Sequence, residues 1–271
     1  MRTAVGALAA VAAFAVVTAF VEPRSTSPKP VAQAQLAAKL GFGDAAETVL
    51  GTLVGPPNPR FLARIRNGKM GGVVLLRNGW LTHGTAAAVT AELQRAACTR
   101  GEPLLIAVDQ EGGMVRRLPW APPTEAPAYM SSPSAARAQA SGTASALRSV
   151  GIDVDFAPVV DTPSSPRNFL GSRAFSRSRS RNAQLARAFV TGLQAGGIAG
   201  TAKHFPGLGL AGGNTDHGRI VIDAAAWKLR QGLLPFKSAI AAGVKLVMVS
   251  TALYPKLDPA AKPAAFSSAI I

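Results

Sequence analysis

Lys203 and His204 stand side by side at the end of an apolar run, and Phe205-Pro206-Gly207-Leu208-Gly209 bends the backbone away directly after them. Two cationic side chains at a strand end, followed by Pro and Gly, suit a barrel enzyme that points charge into a polar pocket. A surface turn after a buried strand would give the same dipeptide, so the pair needs company to mean chemistry. It has company. Leu104-Leu105-Ile106-Ala107-Val108 runs into Asp109-Gln110-Glu111-Gly112-Gly113, and Val154-Asp155-Phe156-Ala157-Pro158-Val159-Val160 runs into Asp161. Gly72-Val73-Val74-Leu75-Leu76 ends at Arg77-Asn78, and Lys245-Leu246-Val247-Met248-Val249 ends at Ser250-Thr251.

Short continuous apolar runs bounded by turn residues read as parallel strands covered on both faces. They predict strands near 49–54, 72–76, 104–108, 154–159, 198–203 and 246–250. Between them, Ala-rich stretches at 85–98, 134–150 and 182–195 are long enough for helices of about three turns or more. The order is strand, helix, strand, helix, which predicts an α/β fold with a parallel sheet and its site at the carboxyl ends of the strands.

Residues 1–34 read as a leader. Met1-Arg2 precedes an apolar run from Ala4 to Val21, and residues 22–30 are rich in Pro and Ser. This resembles a secretory signal, with Ala32-Gln33-Ala34 or Val17-Thr18-Ala19 as cleavage sites; an uncleaved N-terminal membrane anchor is the alternative. Either reading puts residues 35–271, the expected catalytic domain, in the cell envelope or the extracellular space. The single cysteine, Cys98, excludes an internal disulfide framework and is expected in the core of its helix. The net charge is +15, and residues 35–271 retain +13 of it. That suits a protein working beside anionic polymers or anionic lipid headgroups. The densest basic run, Arg173 to Arg181, holds one aromatic residue and is expected as a solvated loop, so nucleic acid is not an expected partner.

Four motifs resemble, in order, the signatures of glycoside hydrolase family 3. They are Ala107-Val108-Asp109-Gln110-Glu111-Gly112-Gly113-Met114-Val115-Arg116-Arg117-Leu118, Asp155-Phe156-Ala157-Pro158-Val159-Val160-Asp161, Gly171-Ser172-Arg173-Ala174-Phe175 and Lys203-His204-Phe205-Pro206-Gly207. Single-domain β-N-acetylhexosaminidases of peptidoglycan turnover are the most similar type. The resemblance implies a TIM-type (β/α)8 barrel, no metal or organic cofactor, and retaining hydrolysis of terminal β-linked N-acetylglucosamine from wall-derived glycans. It assigns sugar binding to Asp109, Arg117, Arg173, Lys203 and His204. Such residues fit the task, because a carboxylate accepts hydrogen bonds from sugar hydroxyls while Arg and Lys donate to hydroxyl and acetamido oxygens.

The sequence departs from the family pattern twice. Where the family carries Asp-Ser-His on a mobile loop, an ungapped match places Asn214-Thr215-Asp216, with His217 next. The general acid/base is then Asp216, or His217 through a small loop shift. The family's nucleophile, an Asp after a later strand in a segment like Gly-Val-Val-Phe-Ser-Asp-Asp, has no counterpart here. Six predicted strands also fall short of the eight that close such a barrel, so the sequence predicts a barrel truncated after about six strands. Residues 266–271 are expected to begin a helix leading to a seventh strand, and 51–54 and 246–249 to be unpaired sheet edges. Glu111 and Asp161 are the nearest carboxylates to stand in for the nucleophile. A non-catalytic glycan-binding protein and an inactive fragment are the competing expectations.

Overall fold

A computed structural model of the chain describes residues 16–17, 42–76, 80–99 and 101–271. The expected leader, apart from Val16–Val17, and the Arg77-Asn78 strand end lie outside the described residues. No helix among the described residues is long and apolar enough to cross a membrane.

The sheet is built from β1 (Val16–Val17), β2 (Leu50–Leu53), β3 (Gly72–Leu75), β4 (Leu105–Val108), β7 (Val154–Asp155), β8 (Ala199–Phe205) and β9 (Leu246–Val249). Its order is β1-β9-β8-β7-β4-β3-β2. From β2 to β9 each strand pairs in parallel with the next one in the chain, the arrangement of a (β/α) barrel, and these six are the strands expected from the sequence. The connection after β4 carries a small antiparallel hairpin, β5 (Gln110–Gly112) and β6 (Val115–Arg116). The described α-helices are α1 (Phe42–Glu47), α2 (Pro59–Arg66), α3 (His83–Cys98), α4 (Pro133–Ser149), α5 (Arg179–Ala195), α6 (Ala226–Gln231) and α7 (Leu234–Ala241).

Local signals set the helix starts. Asn58, Thr82, Ser132 and Ser178 each accept a backbone N–H of the first turn, and Pro59 and Pro133 occupy a first helical position, where a missing N–H costs nothing. All four residues of β3 are buried, as a strand covered on both faces must be. Val74, Ala107, Val154, Phe156, Leu246 and Met248 fill the concave side of the sheet, whereas Leu75, Ile106, Leu147, Phe189 and Phe236 join the larger core between sheet and helices. The Ala-rich helices allow close packing. A Cβ on Gly192 of α5 would come within 2.5 Å of the Arg137 carbonyl oxygen and 2.9 Å of Ala140 Cβ on α4.

Several expectations are corrected. The 154–159 strand shrinks to two residues and an isolated bridge from Val159 to Lys203, because the chain leaves the ladder at Ala157-Pro158 and Pro has no N–H to donate. The outer edge of β9 is not bare: Val16 and Val17 pair antiparallel with Met248 and Val247. Cys98 is exposed, since it falls on the outer side of the last turn of α3 while Ala96 and Ala97 are buried. Arg179 to Arg181 do not belong to a loop; Ser178 caps α5, and these residues form its first turn. At 266–271, a 3-10 turn at Ala264–Phe266 leads to a turn in which Ile271 N donates to Ser267 O at 3.0 Å.

Candidate active site

Asp109 follows β4 directly, and the hairpin after it returns Glu111 to the same place. Gln110 between them is wholly buried and holds the loop. Its side chain donates to the carbonyls of Leu118, Ala121 and Pro122 and accepts from Leu118 N, while its own N–H donates to Asp155 Oδ1 at 2.9 Å. The turn that follows needs glycine. Gly112 and Gly113 have φ of 103° and 58°, and a Cβ on Gly112 would lie 2.3 Å from the Glu125 carbonyl oxygen.

Lys203 enters from β8. Its Nζ lies 2.7 Å from Asp109 Oδ1 and 2.6 Å from Glu111 Oε1. Arg173, on the 3-10 turn Gly171–Arg173, grips Glu111 in a fork, Nε to Oε2 and Nη2 to Oε1, both at 2.8 Å. Two carboxylates and two cations thus alternate, with Glu111 at the centre. Lys203 and Glu111 are sealed off, whereas the side chains of Asp109 and Arg173 keep 13 % and 17 % of their surface exposed. Those two can still reach a ligand.

Burial alone would raise the Glu111 carboxyl, but the Lys203 charge, then the Arg173 hydrogen bond and charge, outweigh it and hold it at about 2. Burial would likewise lower Lys203 and Arg173; the facing carboxylates push both upward instead. Asp155 goes the other way. Buried, with only the Gln110 N–H on Oδ1 and no partner for Oδ2 among the described residues, its carboxyl is pushed well above the usual carboxylate range.

His204 is held by a different carboxylate. Asp161 Oδ2 accepts from His204 Nδ1 at 2.7 Å and from His204 N at 3.2 Å, and Oδ1 accepts from Leu208 N at 2.7 Å. The contact fixes the ring orientation, with Nδ1 turned towards Asp161. Neighbouring residues of a regular strand face opposite ways. Here the β8–β9 register slips between Lys203 and Phe205, so Lys203 reaches acids after β4 while His204 reaches the acid after β7.

The structure therefore brings Asp109, Arg173, Lys203 and His204 to one end of the sheet, and adds Glu111 and Asp161 as the groups that orient them. The spacing of Asp109 and Glu111, two apart on extended backbone, was the available signal that both share a face. As substitute nucleophiles these two fail. Glu111 is 1 % exposed and saturated by two cations, and Asp161 is fully buried under three N–H donors. Arg117 stands apart; it is half-buried, and its buried Nε has no partner among the described residues. Asp216 and His217 are not brought to the cluster. They lie exposed on a 3-10 turn, Thr215–His217, where the Asp216 side chain meets only Asn214 among the described residues. The loop's ends are pinned by apolar packing of Leu208, Ala211 and Ile222 around Tyr254, and its middle carries Gly212, Gly213 and Gly218 around the 3-10 turn.

This geometry has relatives. Residues 50–271 match the model of the glycosyl hydrolase family 3 N-terminal domain. A β-hexosaminidase from Xylella fastidiosa is 36 % identical over 216 residues, which cover 75 % of this chain and 62 % of that protein. The chain thus spans less than two thirds of the length of such curated relatives. A family 3 β-N-acetylglucosaminidase from Paenibacillus superposes with a TM-score of 0.79 at 33 % identity, over 84 % of this chain and 45 % of that one. NagZ from Neisseria gonorrhoeae, in complex with N-trifluoroacetyl-D-glucosamine, gives a TM-score of 0.75 at 28 % identity, over 82 % and 68 %. A sequential parallel sheet, a matching family model over most of the chain and relatives above 30 % identity agree: the chain belongs to glycoside hydrolase family 3, within its N-terminal domain.

Proposed function

We propose that this chain recognises a terminal β-linked N-acetylglucosamine of cell-wall-derived glycans, as the sugar-binding part of an exported retaining β-N-acetylhexosaminidase. One observation carries the reading: Asp109, tied among the described residues to Lys203 through Oδ1, offers Oδ2 at the mouth of a buried ion cluster. A carboxylate held there accepts sugar hydroxyls at little further cost in order, because its position is already fixed. Arg173 donates beside it, and His204, oriented by Asp161, lies at the same end of the sheet. The acetamido group of the substrate offers matching oxygen and nitrogen. The leader-like residues 1–34 and the strongly basic body support work in the envelope, with an N-terminal anchor as the route to the membrane.

In this reading the Asp216–His217 loop folds in over bound sugar, and one of the two protonates the leaving oxygen. Double displacement also needs a free carboxylate about 5 Å from that acid. Glu111 and Asp161 are both engaged, which favours a second reading for the 271-residue polypeptide taken alone: it binds sugar without turning it over. Titrating the purified chain with N-acetylglucosamine, and following release from an aryl N-acetylglucosaminide, tests both. We expect saturable binding, no hydrolysis near the rate of a full-length homologue, and at least about a tenfold loss of affinity in Asp109→Ala. Unchanged binding in that variant refutes the sugar-pocket assignment, and robust turnover refutes the view that the chain lacks a nucleophile.

A further inference from the structure

Residues 162–215 and 224–257 contain no Asp or Glu, and folding gathers basic residues of both stretches on one flank, where the start of α5 lies beside α6 and α7. Two adjoining cavities of about 370 and 700 Å³ open there and share Arg177, Arg179 and Gln231 as a common wall. Lys228 lines the first, Arg230 and Lys237 line the second, and all five cations are exposed. Arg179 donates to the Gln231 side chain, and Lys228 Nζ lies 5.5 Å from the Trp227 ring centre. None of the five forms an ion pair among the described residues. None of Asp109, Glu111, Arg173 and Lys203 lines either cavity, so the flank is not part of the ion cluster.

Large apolar side chains stand among these charges. Leu210 and Trp227 line the first cavity and Leu234 the second, and they are 37 %, 58 % and 46 % exposed. A single exposed Leu is ordinary, but three large apolar groups set among unneutralised cations make a pattern with a partner in view. An RNA or an acidic glycan would neutralise the cations and lie against the indole, yet it offers nothing to Leu210 and Leu234. An apolar protein surface would cover the leucines and leave the cations without counter-charge. An anionic bilayer meets both needs, because phosphates take the Arg and Lys heads while Trp and Leu enter the boundary between headgroups and acyl chains.

We propose that the flank formed by the start of α5, α6 and α7 docks on an anionic phospholipid surface, with Arg177, Arg179, Arg230 and Lys237 on the headgroups and Trp227 and Leu234 in the interface. The proposal rests on the envelope location put forward above and is independent of the sugar pocket. Residues 162–164, after Asp161, and Pro206-Gly207, after His204, border the first cavity. A docked body therefore holds the site's end of the sheet beside the bilayer.

The test uses the purified 271-residue chain with vesicles of phosphatidylcholine alone and of phosphatidylcholine with about 30 % phosphatidylglycerol, at about 50 and about 300 mM salt. The apolar run from Ala4 to Val21 can bind either vesicle, so the readout is the ratio of the two affinities. Each basic residue at an anionic surface adds about fivefold, and we expect a ratio of at least about 100 at low salt that falls below about 10 at high salt. Arg177→Gln with Lys237→Gln should lower the ratio at least about tenfold. Arg60→Gln with Arg64→Gln removes the same charge from exposed positions of α2, beside the opposite edge of the sheet, and should leave the ratio within about twofold. Brominated lipid in the anionic vesicles should quench an emission that Trp227→Phe removes, since Trp80 is buried and Trp120 half-buried. All these side chains are exposed, so the variants are expected to fold, which circular dichroism checks. A ratio near one, equal losses in the two charge variants, or quenching unchanged by Trp227→Phe overturns the proposal. Release of the bound chain by a uridine RNA hexamer or hyaluronan hexasaccharide, at a charge concentration matching the lipid, also overturns it, because a soluble polyanion is then the better occupant. Protease accessibility of the chain in intact cells reads the envelope location separately, and Asp109→Ala reads the sugar pocket; neither result moves the vesicle ratio, which alone decides the docking flank.

Discussion

Glu111→Gln is the substitution that most directly probes the ion cluster, because it removes one charge and almost no volume. The Glu111 carboxyl moves from 4.5 to about 2 on folding, so its ionised form contributes about 3 kcal/mol to the folded state. Its side chain is 1 % exposed, so solvent screening takes little from that figure. The folded value is depressed, so this stability is fully present above about pH 4.5 and is lost as the pH falls towards about 2. In Glu111→Gln the contribution is gone at every pH; Lys203 keeps its ion pair with Asp109, and Arg173 loses the one ion pair it makes among the described residues. Breaking a buried pair in this way costs about 3–5 kcal/mol. For a domain of this size that is a fall in melting temperature of roughly 6–15 °C at neutral pH. Calorimetric melts at pH 7, 4.5, 3.5 and 2.5 read both effects: the parent should lose melting temperature steeply below pH 4.5, and the variant should start lower and fall less. A variant that melts within about 2 °C of the parent at pH 7, with the same acid slope, refutes the view that Glu111 is an ionised keystone.

The remaining predictions concern the loop and the packing. In an enzyme assembled with its nucleophile, loss of the general acid slows hydrolysis of natural glycans far more than that of an activated aryl glycoside, and added azide or formate restores rate. We expect that pattern in Asp216→Ala and not in His217→Ala; its absence from both removes the loop from the chemistry. Gly192→Ala should destabilise by about 1–3 kcal/mol, because the contacts with Arg137 O at 2.5 Å and Ala140 Cβ at 2.9 Å exceed the gain of about 1 kcal/mol in helix propensity. A rise in melting temperature would mean that α4 and α5 separate at little cost.

Much of the architecture was legible along the chain. Runs such as Val73 to Leu75 and Ile106 to Val108 are apolar on consecutive residues because parallel strands are buried on both faces, and Ser132-Pro133 marks a helix start through local hydrogen bonding alone. Signals of that kind reside within a few residues and survive translation into structure. Asp109, Arg173, Lys203 and His204 were legible as candidates through the motifs around them, and the fold brings them to one end of the sheet. Their ordering was not. That Glu111 sits between two cations, that Asp161 orients His204, and that the Asp155 carboxyl is pushed upward depend on residues 43 to 94 positions apart meeting in a buried region. Sequence spacing carries no information on desolvation, and desolvation sets those charges.

Cys98 and the basic run show the same division from the other side. Whether Cys98 is buried depends on which face of α3 meets the sheet, and Ala-rich helices leave that face weakly marked in the sequence. The charges from Arg177 to Lys237 are visible in the sequence as two separate stretches, 177–181 and 228–237. Only folding, which lays the start of α5 beside α6 and α7, gathers them around two adjoining cavities, one of which Trp227 lines. The sequence by itself determined the element order, the parallel sheet and the side chains available for sugar chemistry, because those follow from local periodicity and residue type. The tertiary structure decided which charges are paired, which are free and which carboxylates are too occupied to react, because those follow from distance and burial.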